Sequence, residues 1–389
     1  MAAKQFTPDE WEKIREELEK NPGKYGFPER VYGSTVIGSF NIRKLGAARN
    51  RNAETWDFLA HICKQFDLLA VQEIMDDLSG FQKLMEMLGP EFGMIVSDKT
   101  GVFPGDTGLG ERLGFIFRWS VVKRAEVVSD ITYDRSKVLE LLRKNIDDIN
   151  FALATYNEKM EDYEAGRRKT KPVIHMPAFL SFIRQPYCVS FQIVGHPGTT
   201  PYQFMAVNAH LHFGAYMSDR KQELNALLEW IIARVKEVGK AYYPNFILLG
   251  DLNLDFDDPE TDREGIEDYL KMFDNNAGEQ VNVNFPFLDP HPQDGLQRTN
   301  ARLTETFDQI GLFFREKGLP TYLDNEHMGD HPQGPDFRVF NFANLFSKAL
   351  LGKEYGNLTK AEKDALVKRF EHKVSDHMPL WLRLPLPGK

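Results

Sequence analysis

Short, continuous apolar runs alternate along this chain with longer stretches in which apolar residues return every three to four positions. The first kind reads as buried strands and the second as amphipathic helices. Thr35 to Phe40, Leu68 to Gln72, Arg112 to Arg118, Gln203 to Val207, Phe246 to Leu249, Phe307 to Phe313 and Met378 to Leu384 are runs of the first kind, and the strand pattern also resumes at Phe179 and at Tyr187 to Val194. Helical spacing fills Ala53 to Gln65, Phe81 to Leu88 and Asp219 to Val238. Thr7-Pro-Asp-Glu10 supplies an N-cap, a proline at the first helical position and a capping-box glutamate, so a helix is expected to about Lys20, ahead of Asn21-Pro-Gly. Ser136 to about Arg168 differs in kind. It is highly charged, with Val138, Leu141, Leu142, Ile146, Ile149 and Leu153 at helical spacing, and predicts an inserted helix or helical hairpin.

Strands alternate with helices throughout, without internal repeats or a Pro/Gly/Ser linker, which predicts one α/β domain over residues 35–389. Residues 1–34 form a helical extension, and insertions are expected near 134–172 (helical) and near 256–304 and 324–372 (loop-rich). The strand ends share a property. They deliver Asn41, Glu73, His210, Asp251 with Asn253, Asp308, and Asp376 with His377. Polar groups converging beyond strand tips are how α/β sheets build sites. Gly250 lets the backbone bend where the Phe246 run ends, and Asp251 and Asn253, two residues apart, share a face there. Each feature alone has a plainer reading: Gly-Asp-Leu-Asn as a surface turn, one histidine as a hydrogen-bonded structural residue, Asn41 or Asp308 as a turn cap. Their ordered recurrence favours a site.

The residue types narrow the chemistry. Carboxylates and carboxamides are hard oxygen donors suited to Mg²⁺ or Mn²⁺, and the chain has neither a cysteine cluster nor His-Glu-x-x-His to suggest zinc. The glycine-rich run Gly105 to Glu111 is not a phosphate loop, because no Gly-Lys-Ser/Thr follows it. A net charge of −9 argues against coating nucleic acid through bulk charge but leaves a nuclease open, since bound cations or a local basic surface handle phosphates. Cys63 and Cys188 are too few for a disulfide framework. No apolar run approaches the roughly 18 residues of a membrane span, and the first residues hold no apolar signal core, so a soluble, cytoplasmic protein is expected unless a leader has been removed.

Seven motifs, in order, carry a resemblance: Phe40-Asn-Ile-Arg43, Val71-Gln-Glu73, Glu111-Arg-Leu-Gly-Phe-Ile-Phe-Arg118, Asn208-Ala-His210, Gly250-Asp-Leu-Asn253, Thr306-Phe-Asp-Gln-Ile310 and Ser375-Asp-His-Met-Pro379. Together they resemble the endonuclease/exonuclease/phosphatase superfamily, nearest its deoxyribonuclease I-like branch, over roughly residues 35 to 385. The resemblance implies a four-layer α/β/β/α sandwich of two mixed sheets flanked by helices, with the site at one end. It implies Asn41, Glu73 and Asp376 as ligands of Mg²⁺ or Mn²⁺, and Asp251 and Asn253 orienting the attacking water and the phosphate. His210 supported by Glu111, and His377 supported by Asp308, then stabilise or protonate the transition state. Arg43 falls to the substrate, as does Arg184, because Ile183-Arg-Gln-Pro186 resembles a phosphate-contacting segment of that branch.

Two departures bear on substrate. Met75 and Leu109 stand where the branch has the arginine and tyrosine that read the minor groove, and its disulfide framework is missing. The leading expectation is a metal-dependent phosphodiesterase, an endonuclease acting on DNA or other nucleic acid by in-line water attack. The alternative within the fold is a phosphatase or phosphodiesterase for a small-molecule or lipid head-group phosphate, and outside it a catalytically dead binding module. The basic stretch Arg167-Arg-Lys-Thr-Lys171 at the exit of the helical insertion is a candidate substrate contact, its plainer reading a solvated helix end. Oligomeric state is not set by the sequence.

Overall fold

The strand Phe246–Asp251 runs through the middle of a sheet, and its side chains alternate between two apolar cores. Ile247 and Leu249 belong to the core between the sheets, whereas Phe246 and Leu248 belong to a second core under a helix. A strand wetted on neither face needs no polar alternation, which is why the run is continuous. The computed structural model describes residues 5–100, 110–172, 174–213, 217–237, 243–254, 282–315 and 327–388. Residues 105–109 of the glycine-rich run, Leu109 among them, lie outside the described residues, as do Val238 and residues 255–281 and 324–326 of the expected insertions.

Among the described residues two six-stranded sheets face each other. The first contains β1 (Ser34–Leu45), β2 (Leu68–Met75), β3 (Phe92–Val96), β4 (Glu111–Arg118), β11 (Asp336–Val339) and β12 (Leu380–Pro385), in the order β11-β12-β1-β2-β4-β3. The second contains β5 (Val122–Asp130), β6 (Tyr187–Ile193), β7 (Tyr202–His210), β8 (Phe246–Asp251), β9 (Asn282–Asn284) and β10 (Asp308–Phe314), in the order β5-β6-β7-β8-β10-β9. Each sheet is mixed. Its one parallel pair, β1 with β2 or β7 with β8, lies at the centre and is joined by a crossover helix, α2 (Ala53–Cys63) or α6 (Met217–Lys236). Leu224, Leu227, Leu228 and Ile231 of α6 cover the outer face of the second sheet. On the other side Trp11 of α1 (Pro8–Lys20), Phe58 of α2 and Phe346 of α7 (Phe342–Leu351) interlock, with Trp11 centred 5.3 Å from Phe58 and 5.8 Å from Phe346. The result is four layers, helix, sheet, sheet, helix.

Several local expectations are corrected. All four edge strands, β3, β5, β9 and β11, fall where no strand is expected; β5 shows why, since most of Val122–Asp130 is exposed and polar and lacks the apolar signal that burial imposes. Residues 324–372 were expected as loop and helix, and α7 is such a helix, but they also supply the strand β11 to the first sheet. Phe179 belongs to no strand. Its ring instead meets Tyr133 at 5.0 Å and Phe182 at 4.9 Å, edge-on. The helical insertion is a hairpin, α4 (Arg135–Lys144) and α5 (Ile146–Glu164), rooted on α6 through Lys137 Nζ to Glu229 at 2.9 Å. Its apolar spacing buries only Ile149, while Leu139, Ile146, Phe151 and Leu153 stay exposed.

Candidate active site

The site forms where the two central parallel pairs end. In the second sheet His210 lies opposite Asp251, and Asp308 lies opposite Asp251 on its other side, so three neighbouring strands finish on three ionisable residues at one level. Gly250 is obligatory there: its φ is +146°, and a Cβ would sit 1.9 Å from the Ala209 carbonyl oxygen. In the first sheet Asn41 of β1 and Glu73 of β2 flank a break in register. Among the described residues four non-glycines have positive φ, and three of them, Lys44 (+46°), Glu73 (+58°) and Asn253 (+52°), line the same cavity of about 440 Å³. Strained backbone gathered at one cavity aims particular side chains at it.

Two histidines face each other across this cavity, each backed by a buried carboxylate. His210 Nδ1 is 2.9 Å from Glu111 Oε2, and His377 Nδ1 is 2.7 Å from Asp308 Oδ2. A carboxylate only accepts, so each Nδ1 carries the proton and each Nε2 points the other way. Both Nε2 atoms face Asp251 Oδ2, at 3.6 Å from His210 and 3.5 Å from His377. Those separations are too long for a committed hydrogen bond, so both nitrogens remain available to a third group. Asp251 is held by the Asn253 N–H on Oδ1 at 3.0 Å and by Asn41 Nδ2 on Oδ2 at 3.1 Å. Asn253 Nδ2 in turn donates to the Leu211 carbonyl at 2.8 Å, which fixes the plane of its amide.

Charge follows from these contacts. Burial alone pushes His210 down, but the hydrogen bond to Glu111 and the charges of Asp251 and Glu111 outweigh it and leave His210 raised above its ordinary value. His377 is likewise opposed by burial, yet Asp308, Asp251 and Asp376 hold it well above the usual imidazole range. Glu111, despite burial, is lowered by His210 and Arg184.

A second cluster, of oxygens, lies beside the first. Asn41 Nδ2 donates to Glu73 Oε1 at 3.2 Å and the Lys44 N–H to Glu73 Oε2 at 2.9 Å, while Asn41 Oδ1 is buried with no donor. Asp376 Oδ1 is likewise buried and unpartnered. Orphaned buried oxygens are costly unless something positive meets them, so Asn41, Glu73 and Asp376 fit a hard divalent cation. Asp251, Asp308 and His377 also bring one donor atom each within 4.8 Å of one another, with His377 Nδ1 bonded to Asp308 and its Nε2 open. Ser375 ties the clusters together, its Oγ donating to the Asn41 carbonyl at 2.6 Å and accepting from the His377 N–H at 3.1 Å.

The two arginines expected at the substrate have other partners. Arg43 Nη1 ion-pairs with Asp376 Oδ2 at 2.8 Å, and Arg184 is buried against Glu111 and the carbonyls of His210 and Leu211. These contacts are to carboxylates and backbone of the site itself, and Arg184 also lines its cavity. Sequence reasoning gave no role to Asn208, yet its side chain spans the sandwich. Its Oδ1 accepts from Gln72 Nε2 at 2.7 Å, and its Nδ2 donates to the carbonyls of Val71 at 3.1 Å and Gly114 at 2.8 Å. The available signal was an amide inside an apolar strand two residues before His210.

A model of the Endonuclease/Exonuclease/phosphatase family matches residues 38–325. The chain belongs to the endonuclease/exonuclease/phosphatase family. Over 98 residues the chain is 32% identical to Deoxyribonuclease-1 of Gallus gallus, covering 25% of this chain and 35% of that protein. A longer stretch of 234 residues is 26% identical to a Deoxyribonuclease of Thioalkalivibrio sp. (strain K90mix), covering 58% of this chain and 48% of that protein. The chain thus spans less than half the length of these curated relatives. Among solved structures, an endonuclease/exonuclease/phosphatase family protein from Bacteroides thetaiotaomicron aligns with a TM-score of 0.47 at 14% identity, over 90% of this chain and 97% of that one. Among the described residues no helix is long and apolar enough to cross a membrane.

Proposed function

We propose that this member of the family is a divalent-metal-dependent phosphodiesterase that cuts nucleic acid, DNA first, by in-line attack of water. The observation that carries this reading is the meeting of two carboxylate-backed imidazoles at Asp251 Oδ2, beside an all-oxygen cluster with two orphaned oxygens. Asp251 orients the attacking water and takes its proton as the new P–O bond forms, and the bond to the leaving oxygen breaks as that oxygen takes a proton from one of the two imidazolium Nε2 atoms. His210 and His377, charged and with Nε2 uncommitted, donate to the phosphoryl oxygens as negative charge grows on them. Asn253, its amide fixed on the Leu211 carbonyl, helps set the phosphate. Asn41, Glu73 and Asp376 would hold a Mg²⁺ or Mn²⁺ ion, whose charge would offset that of the phosphate. Nucleic acid is favoured as substrate because both curated relatives are named deoxyribonucleases.

Plasmid, single-stranded DNA, RNA, a phosphomonoester and a phosphoinositide, each assayed with Mg²⁺, Mn²⁺ or excess chelator, test the reading. Cleavage of a polynucleotide that stops in chelator and returns with metal is the expected result. Undiminished cleavage in chelator, or activity confined to the phosphomonoester or phosphoinositide, overturns it.

A further inference from the structure

The cavity that holds His210 and Asp251 has an apolar wall which the hydrolysis above does not use. Ile183 and Phe213 line it at 40% and 69% exposure. A buried carboxylate sets their place. Glu223 of α6 accepts from the Ile183 N–H through Oε1 at 2.8 Å and from the His212 N–H through Oε2. One side chain therefore brackets both segments, that of Ile183 with Arg184 and that of His210 with Phe213. An exposed ring with an exposed aliphatic neighbour at the mouth of a polar site marks a contact surface rather than a packing surface. Phe213 follows His210 by three residues, so their Cα atoms lie within roughly 11 Å, and a phosphate at His210 leaves its flanking bases in reach of the ring.

Two of the three lysine and arginine cations on the cavity are already committed, Arg184 to Glu111 and Arg302 Nη1 to Asp364 at 2.6 Å, and Lys44 is the one that can meet a neighbouring phosphate. Met75 on the same lining has no donor for a base edge in an intact groove. A flat apolar ring suits instead the face of a base, and in a duplex those faces are covered by neighbouring bases. We propose that Phe213, with Ile183 beside it, is a stacking platform for an unpaired base flanking the scissile phosphate, so that the enzyme takes single-stranded or frayed nucleic acid in preference to intact duplex. This rests on the nucleic-acid reading given above.

Kinetics on a short single strand, on the same strand built with abasic sugars, and on the strand annealed to its complement test the platform. Phe213→Ala should raise KM on the base-bearing strand roughly 5- to 100-fold with kcat within about threefold, the scale of losing one base–aromatic stack. On the abasic strand wild type and Phe213→Ala should share one KM, and Phe213→Tyr, which keeps the ring, should match wild type throughout. The wild-type preference for single strand over duplex should narrow in Phe213→Ala. An unchanged KM in Phe213→Ala, or an equal rise on base-bearing and abasic strands, overturns the platform while leaving the nucleic-acid reading intact. Wild-type protein that cuts neither strand nor duplex but hydrolyses a phosphomonoester or phosphoinositide overturns both.

Discussion

Asp251 Oδ2 faces three nitrogens, those of Asn41, His210 and His377, and no other atom of the site is so placed among the described residues. Asp251→Asn keeps the shape but removes the charge that accepts water's proton. Turnover should fall by about two orders of magnitude or more, with the thermal midpoint barely moved, as steady-state kinetics beside a melting curve would show. Near-wild-type turnover in the folded variant removes Asp251 from the chemistry. Glu111 gives a prediction with a direction in pH. The raised pKa of His210, due to the Glu111 hydrogen bond and the Asp251 and Glu111 charges against burial, extends its charged form to higher pH. Glu111→Gln removes the Glu111 share of that support and leaves the Arg184 charge, which lowers the imidazole, without the carboxylate that offsets it, so the pKa must fall. If catalysis uses the charged imidazole, the alkaline limb of the kcat/KM profile moves to lower pH. A limb that stays in place separates the His210 proton from the reaction.

At the scale of elements, the parallel crossovers β1-α2-β2 and β7-α6-β8 bring their strand ends to the site, and a buried amide pins one sheet to the other behind it. Asn208→Ala abandons the Val71 and Gly114 carbonyls and the Gln72 amide in a dry interior. Denaturant unfolding should show a loss of about 2 to 4 kcal/mol, since each orphaned group costs about 1 to 3 kcal/mol and some regain water. A loss under about 1 kcal/mol would mean that the sheets are held without this amide. Legibility in the sequence follows the same physics. Central strands such as β8 were readable because burial on both faces leaves an unbroken apolar run, and their ends were readable because that run halts at Asp251 or His210. Edge strands were not, because β5 has solvent on most of its side chains and β9 is three residues long. Pairings were beyond periodicity altogether: Glu111 meets His210 across 99 residues and Asp308 meets His377 across 69, and only family resemblance suggested them.

The whole molecule divides the labour between its sheets. Asn41 and Glu73 belong to β1 and β2 of the first sheet, and Asp376 lies just ahead of β12; His210, Asp251 and Asp308 all end strands of the second. Both imidazole–carboxylate pairs cross the sandwich, Glu111 of β4 to His210 of β7 and Asp308 of β10 to His377 ahead of β12. The oxygen cluster thus exists only when β1, β2 and the approach to β12 are assembled, and a cation that needs it binds the folded chain alone. Binding only the native state stabilises it by about 2.7 kcal/mol when free cation stands at 100 times its dissociation constant. Mg²⁺ or Mn²⁺ should therefore raise the melting temperature in a concentration-dependent way with no substrate present. Glu73→Gln should lose most of that rise, because a carboxamide gives a divalent ion far less charge than a carboxylate. Glu362→Gln is the control, a half-buried acid on α8 (Lys360–Phe370) paired with Lys353 at 2.8 Å, and it should keep the whole rise. An equal response in both variants would place the ion elsewhere on a surface carrying net charge −9, and no response in wild type would leave the orphaned oxygens of Asn41 and Asp376 without the cation assigned to them.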